Sequence, residues 1–517
     1  MNQKSATPKD ASAVILLNEN LTEVLWIQRS PSLKFLGGWH AFPGGKLDAD
    51  DAEIKVENCA DEELEKFIVC AAREIFEEAG ILLARGGDKL TKGQRASLHD
   101  DLTSGRSSLK EIFEHWNLWL DAEDFFYTGF WTTPEFSPVR FKTRFFIAVC
   151  PPKQKPYAAT GELADAEFIT PANALEKWKN AEVLISPPVL ISLRELAEEI
   201  LVTEKSEFSD TEKSKIKDQR SKTISQKLLE KSEKFDGIID YIDLNSHITV
   251  FPLRTETLPP ATHTNCFIVG RKKFVVIDAA SKEDAEHRKL FALVDEMIEN
   301  GGVCEEIIVS HLHPDHFGGE TALKKHLKEK FDLEVPVSAH KLTAESLDGK
   351  IETQKFIEDE DVYKLADENG ESFELTALHT PGHARGHLCF YDVSKEFLLS
   401  SDNVVGMGSV VIAPPEGNLI DYLNSLERMK NLPNLKNLCG SHGSAIYDAK
   451  TKIESYIAHR LERENQIKQA IESGAETPAE IARKVYVELD EKLFKLAEKS
   501  VEAHLEKIEA EKAETRT

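Results

Sequence analysis

Three consecutive β-branched residues, Ile307-Ile308-Val309, run straight into Ser310-His311-Leu312-His313-Pro314-Asp315-His316-Phe317-Gly318-Gly319. No other stretch restricts the fold as tightly. An apolar run of this kind reads as a short buried strand, and the Gly-Gly pair lets the chain turn into a helix. The strand end then carries three imidazoles and a carboxylate within six positions. His311 and His313 alternate along extended backbone, so both rings can point to one side. Asp315 and His316 follow in the turn and can face a second position beside the first. Neutral imidazole and carboxylate suit a borderline cation such as Zn2+. Standing alone, the stretch would read as well as a polar loop with chance histidines.

It does not stand alone. His379-Thr380-Pro381-Gly382-His383, Ser400-Ser401-Asp402 and Gly440-Ser441-His442-Gly443 each follow an apolar run, at 375–378, 397–399 and 435–439. Four strand ends therefore each offer ligand-type residues. This ordered set resembles the metallo-β-lactamase superfamily over residues 237–450, with its HxHxDH motif, later His, bridging Asp and final His all present. The resemblance implies an αββα sandwich holding two metal ions, zinc or alternatively manganese or iron. It assigns His311, His313 and His383 to one ion, Asp315, His316 and His442 to the other, and Asp402 to a bridge. The family's ligand is the His after Pro-Gly, so His379 is left as structural. It further implies a bridging hydroxide as nucleophile, with Asp315 orienting it and moving a proton. His387 is either a substrate contact near the site or a packing residue. Asp278, which ends the run Phe274-Val275-Val276-Ile277, either orients a metal ligand or caps a strand.

The N-terminal part has a separate pattern. Ala13 to Leu17 and Val24 to Ile27 read as a β-hairpin. Phe42-Pro43-Gly44-Gly45 is a turn. Arg73-Glu74-Ile75-Phe76-Glu77-Glu78-Ala79-Gly80 reads as a helix end that Gly80 stops. Glu74, Glu77 and Glu78 sit at i, i+3 and i+4 and share a face. Three crowded carboxylates repel unless a cation such as Mg2+ or Mn2+ neutralises them. The same residues read alone as a solvated acidic helix with Arg73 paired to Glu77. Together with the turn and the later strands, they resemble the Nudix hydrolases. Glu65 takes the box's first glutamate position, and an acidic insertion separates it from Gly45. The resemblance implies an α/β/α sandwich, metal ligation by the three glutamates, and catalytic roles for Glu77 and Glu78 on a diphosphate. Arg29 and Lys34 match the spacing of the coenzyme-A subgroup and could hold phosphate oxygens. Equally, they could be surface charges.

The expected organisation is an α/β multidomain chain. A Nudix domain spans 8–203, a charged linker 204–236, a metallo-β-lactamase domain 237–450, and a small helical winged-helix-like domain 451–517. In the last, Thr477 and Pro478 form a helix start. That tail resembles the β-lactamase-like protein 2 group. His459 and His504 are expected to be structural. The net charge of −26 argues against duplex nucleic acid and anionic membranes as partners. Seven scattered cysteines without a CxxC pair, and no secretory or spanning segment, point to the cytoplasm.

The expected function is a dinuclear metallo-hydrolase cleaving a thioester, ester or phosphodiester, fused to a Mg2+- or Mn2+-dependent Nudix domain. Its substrates are expected to be coenzyme A or a nucleoside diphosphate derivative and an acyl thioester. The alternatives are an endoribonuclease acting on short single-stranded RNA and a non-catalytic scaffold. Oligomeric state is not readable.

Overall fold

The structure is a computed structural model describing residues 6–33, 35–203 and 210–514. The chain divides into two compact units, Met1–Ile242 and Asp243–Thr517. Among the described residues, no helix is long and apolar enough to cross a membrane.

In the first unit, strand Lys9–Leu17 is the axis. It pairs in parallel with Phe141–Val149 and antiparallel with Val24–Arg29 and Gly44–Lys46. Both faces of the strand are apolar, so both must be covered. Val14 and Leu16 join Leu25 and Ile27 in a core shared with helix Glu62–Ala79. Ala13, Ile15 and Leu17 join Val24 and Trp26 in a second core with helix Pro187–Thr203. The period-two alternation along these strands thus separates the two layers of an α/β/α sandwich.

The stretch expected as a linker departs from that reading. Helix Asp210–Lys234 packs on the first unit, and Ile224 and Leu228, at i and i+4, are buried in its second core. The Ser232 hydroxyl donates to Phe130 O at 2.6 Å. Lys and Glu dominate the composition of this stretch, but a helix needs only one apolar stripe to dock. Residues 204–209 lie outside the described residues.

The second unit is built on a sheet of two leaves. One runs through Ile248–Arg254, His263–Val269, Lys273–Ile277, Val303–Val309, Val337–His340 and Lys355–Ile357. The other runs through Val362–Ala366, Ser372–His379, Leu388–Asp392, Phe397–Ser401 and Asn437–Gly440. The ladder between them is short, registering Lys273 with Ala366. Helices Asp284–Glu299 and Glu320–Phe331 cover the first leaf. Leu419–Lys430 and Ala449–Glu472 cover the second, around buried Leu378, Tyr391, Leu398, Tyr422 and Ile453. The C-terminal helices Pro478–Val485 and Phe494–Glu514 close a small core of their own, with Ile467, Ile481 and Val501. Thr477 caps the first of them through the Glu480 amide in a capping box.

Candidate metal centres

Strand direction assembles the site of the second unit. Val303–Val309 runs parallel to Lys273–Ile277, and Phe397–Ser401 parallel to Asn437–Gly440. Parallel neighbours end on the same side, so Asp278 meets Ser310 and Asp402 meets His442. His311, His313 and His383 converge, as do His311, His316 and Asp402, and Asp315, His316 and His442, each set with ligand atoms within 4.8 Å. These are the residues named from the sequence, gathered from four strand ends.

Asp402 stands between the sets. Its Oδ2 lies 3.6 Å from His383 Nε2 and 3.5 Å from His316 Nε2. Its Oδ1 lies 3.5 Å from His442 Nε2, which is also 3.5 Å from Asp315 Oδ2. These separations are long for hydrogen bonds. They match donors sharing one ion, since two ligands each ~2.1 Å from a tetrahedral cation stand roughly 3.4 Å apart. His316 Nε2, His383 Nε2 and Asp402 Oδ1 are buried without any hydrogen-bond partner. Orphaned buried ligand atoms within these sets are what bound cations would satisfy.

The outer hydrogen bonds set which nitrogen faces inward. His316 Nδ1–H donates to Asp278 Oδ2 at 2.8 Å, His383 Nδ1–H to Val411 O at 2.8 Å, and His442 Nδ1–H to His263 O at 2.9 Å. Each acceptor can only accept, so Nδ1 carries a proton and Nε2 is the nitrogen that faces the centre. Ser310 Oγ–H donates to Asp278 Oδ2 at 2.7 Å, which leaves its oxygen to accept from His311 Nδ1–H at 3.0 Å. His313 differs: its Nδ1 faces His311 Nε2 at 3.0 Å. Asp278 therefore has the orienting role. It holds a left-handed φ of 57°, a conformation aspartate tolerates better than most residues.

Charge inside the site is divided. Burial, then neighbouring imidazoles, hold His311 well below the usual range and His383 at about 3, so both stay neutral. Burial pushes His442 down, but Asp402 and Asp315 outweigh it and raise it to about 10. Burial opposes ionisation of Asp315 and Asp402, and His316 and His442 reverse it, holding both carboxyls low. Two carboxylates thus draw positive charge into a buried space.

His379 stays out of these sets. Its ring stacks on His340 at 4.1 Å, and its Nε2–H donates to Arg385 O. His387 is fully buried and has no face for substrate. Its Nε2 accepts the Asp402 amide at 3.1 Å, so it orients the bridge.

In the first unit, Glu74, Glu77 and Glu78 line the end of helix Glu62–Ala79 beside the Gly44-Gly45 turn. The Gly44 amide donates to Glu78 Oε2 at 2.9 Å. A Cβ on Gly45 would sit 2.4 Å from the Glu74 carboxyl carbon, so any other residue there would push that carboxylate aside. Arg73 donates to Glu74 at 2.8 Å and to Glu77 at 3.0 Å. Burial raises Glu74 to about 7 and Glu78 to about 8, with Arg73 opposing at Glu74 and the Gly44 amide at Glu78. Three part-buried carboxylates against one guanidinium leave negative charge for a divalent ion to balance. Their ligand atoms do not form one of the convergent sets, so this site is looser than the other.

Arg73 also makes a bidentate pair with Asp51, at 2.8 and 2.9 Å. Asp51 comes from the insertion, while Glu65 pairs outward with Lys55 at 2.9 Å. The sequence pattern could not rank Asp51 above the insertion's other acids. Arg29 lies beside Glu78, and its Nε is buried without a partner. Lys34 lies outside the described residues.

A metallo-beta-lactamase superfamily model matches residues 259–442. A NUDT19 Nudix domain model matches 52–196, and a beta-lactamase associated winged helix domain model matches 477–512. The chain joins a NUDT19-type Nudix domain, a metallo-beta-lactamase domain and its associated winged helix. It is a hydrolase by both of the larger domains. A beta-lactamase-like protein 2 homolog of Caenorhabditis elegans is 26% identical over 227 residues, 44% of this chain and 71% of that protein. Putative nudix hydrolase 7 of the same organism is 26% identical over 241 residues, 46% of this chain and 76% of that protein. The atrochrysone carboxyl ACP thioesterase of Aspergillus novofumigatus is 29% identical over 216 residues, 41% of this chain and 59% of that protein. The match to the thioesterase thus spans less than two thirds of its length.

Proposed function

We propose that the metallo-beta-lactamase domain is a dinuclear thioester hydrolase and that the Nudix domain hydrolyses a diphosphate linkage of a coenzyme-A-type nucleotide. The observation carrying the first half is Asp402, whose carboxylate lies 3.6 Å from His383 of one ligand set and 3.5 Å from His316 and His442 of the other. His311, His313 and His383 would hold one ion, Asp315, His316 and His442 the other. Zinc suits this nitrogen-rich set, with manganese or iron as substitutes. Bound ions supply Lewis acidity and a water that ionises near neutral pH. Asp315, held ionised by His316 and His442, would orient that water by accepting a hydrogen bond from it. Asp278, His387, Val411 O and His263 O keep the ligands aimed. The thioester preference is supported by the likeness to a named thioesterase.

In the Nudix domain, Glu74, Glu77 and Glu78 would hold Mg2+ or Mn2+, which neutralises diphosphate charge. Glu78, with its raised affinity for protons, serves as the base. The Arg29 guanidinium, with Nε unpaired, takes a phosphate oxygen.

The test is a substrate panel of coenzyme A, ADP-ribose, acyl thioesters and short single-stranded RNA. It is run on wild type, His313→Ala and Glu78→Gln. The expected result is thioester turnover lost only in His313→Ala and diphosphate turnover lost only in Glu78→Gln. RNA cleavage without thioester turnover would replace the first half by the endoribonuclease reading. Loss of both activities in either folded variant would overturn two independent sites.

A further inference from the structure

Between Asp402 and helix Leu419–Lys430 the chain makes a long excursion without regular structure. It passes three of the ligands. Asp402 starts it, the Gly406 and Met407 amides donate to His442 O at 2.7 and 3.1 Å, and Val411 O accepts the His383 Nδ1–H. Gly406, Gly408 and Ser409 are exposed, so the loop leaves the core and must be drawn back before it reaches Val411.

Helix Ala449–Glu472 supplies what draws it back. Tyr456 Oη accepts the Val405 amide at 3.3 Å and donates to Val405 O at 3.1 Å, on the outgoing limb. Arg460 Nη2–H donates to Val410 O at 2.5 Å on the returning limb. Arg460 is 5% exposed, and its guanidinium lies 5.2 Å over the ring of Tyr422, whose hydroxyl donates to Asn403 O at 2.7 Å. Its Nε is buried without a partner, and among the described residues it forms no ion pair. A buried cation with no carboxylate beside it, held by a carbonyl and by Tyr422, is an unfavourable element unless the contact matters elsewhere.

We infer that Arg460 is a positioning residue of the metallo-beta-lactamase centre: by fixing the Val410 carbonyl it sets the Val411 carbonyl that aims His383. Helix Ala449–Glu472 then positions the centre as well as covering the sheet. The acceptor of His383 Nδ1–H is Val411 O; a Val410–Val411 peptide free to turn lets Val411 shift, and with it the carbonyl of the following peptide that holds the ring. The inference rests on the dinuclear reading proposed above.

The test uses full-length protein, zinc as the probe and a colorimetric chelator as competitor. Arg460→Met keeps the stem and removes the donor. It is expected to weaken zinc binding about tenfold to a hundredfold, as lost outer-shell partners do, with Nudix turnover unchanged as a folding control. Deuterium exchange in the 404–412 peptide is expected to rise. Arg460→Lys, which keeps a donor and the charge, is expected to fall between Met and wild type. A lower melting temperature with wild-type zinc affinity in Arg460→Met would reduce the residue to a structural role and overturn the inference. Should that variant fail to fold, Arg460→Lys decides: weakened zinc binding supports the inference, and wild-type binding overturns it. Wild type that takes up no zinc would overturn the dinuclear reading, and this inference with it.

Discussion

Asp278→Asn is the most informative single substitution, because it changes one oxygen and nothing in shape. The carboxylate is fully buried and accepts three hydrogen bonds, from the Ser310 amide at 2.8 Å, Ser310 Oγ–H at 2.7 Å and His316 Nδ1–H at 2.8 Å. An amide side chain has one acceptor oxygen. Placed at Oδ2 it serves Ser310 Oγ and His316 but turns its NH2 on the Ser310 amide. Placed at Oδ1 it strands the other two. Either way at least one buried donor loses its acceptor, costing about 1–3 kcal/mol of stability. The negative charge that makes His316 a stronger ligand also goes, and outer-shell changes of this kind lower metal affinity roughly 10–100-fold, or about 1.4–2.7 kcal/mol. His311 suffers too, because its own partner Ser310 is held by Asp278. Chelator competition with zinc measures the affinity, and urea unfolding of chelated protein measures the stability. Two equivalents of zinc bound at wild-type affinity in Asp278→Asn would refute the orienting role.

Other expectations follow from the same structure. His504, 1% exposed with both ring nitrogens unpaired, is held at about 3 by burial and then by Arg460, against an ordinary 6.5. The unfolded chain therefore takes a proton there before the folded one does. Stability is full above the ordinary value and falls as pH drops toward the folded value, by about 2 kcal/mol between pH 7 and 5. His504→Leu is expected to remove that part of the acid loss in urea midpoints compared at the two pH values. Asp51→Asn strips the bidentate partner of a buried Arg73 and is expected to cost about 3 kcal/mol, read as a lower melting temperature of the Nudix domain. Gly45→Ala is expected to abolish diphosphate turnover while leaving the far-ultraviolet spectrum intact, because the new Cβ displaces the Glu74 carboxylate. Extended chelation is expected to eliminate thioester turnover, with recovery on added zinc but not on added magnesium, which prefers oxygen ligands.

The seven ligand-type residues of the larger site were readable in the linear chain for a physical reason. Each follows an apolar run that has to be a buried strand, and side chains at the ends of adjacent strands meet. The two faces of strand Lys9–Leu17 were as readable, since alternation in an all-apolar run demands a layer on each side. Ligand type, order and approximate depth are local properties, set by short-range periodicity and turn chemistry.

What only the tertiary structure decided are matters of pairing between distant elements. The Nδ1 acceptors of His316, His383 and His442 are Asp278, Val411 and His263, far off in sequence, and two of the three are backbone carbonyls that no residue type advertises. Asp51 became a partner of Arg73 because the insertion folds back, whereas spacing along the helix pointed only to Glu77. The helix over 210–234 looked like a solvated spacer because charge dominates its composition, yet Ile224 and Leu228 supply enough of a stripe to dock. Nothing in the sequence singled out Arg460, and only packing buried it against the loop that carries Asp402. Composition and spacing determine what a residue can do. Which groups it meets depends on how strands and helices far apart in the chain close on one another.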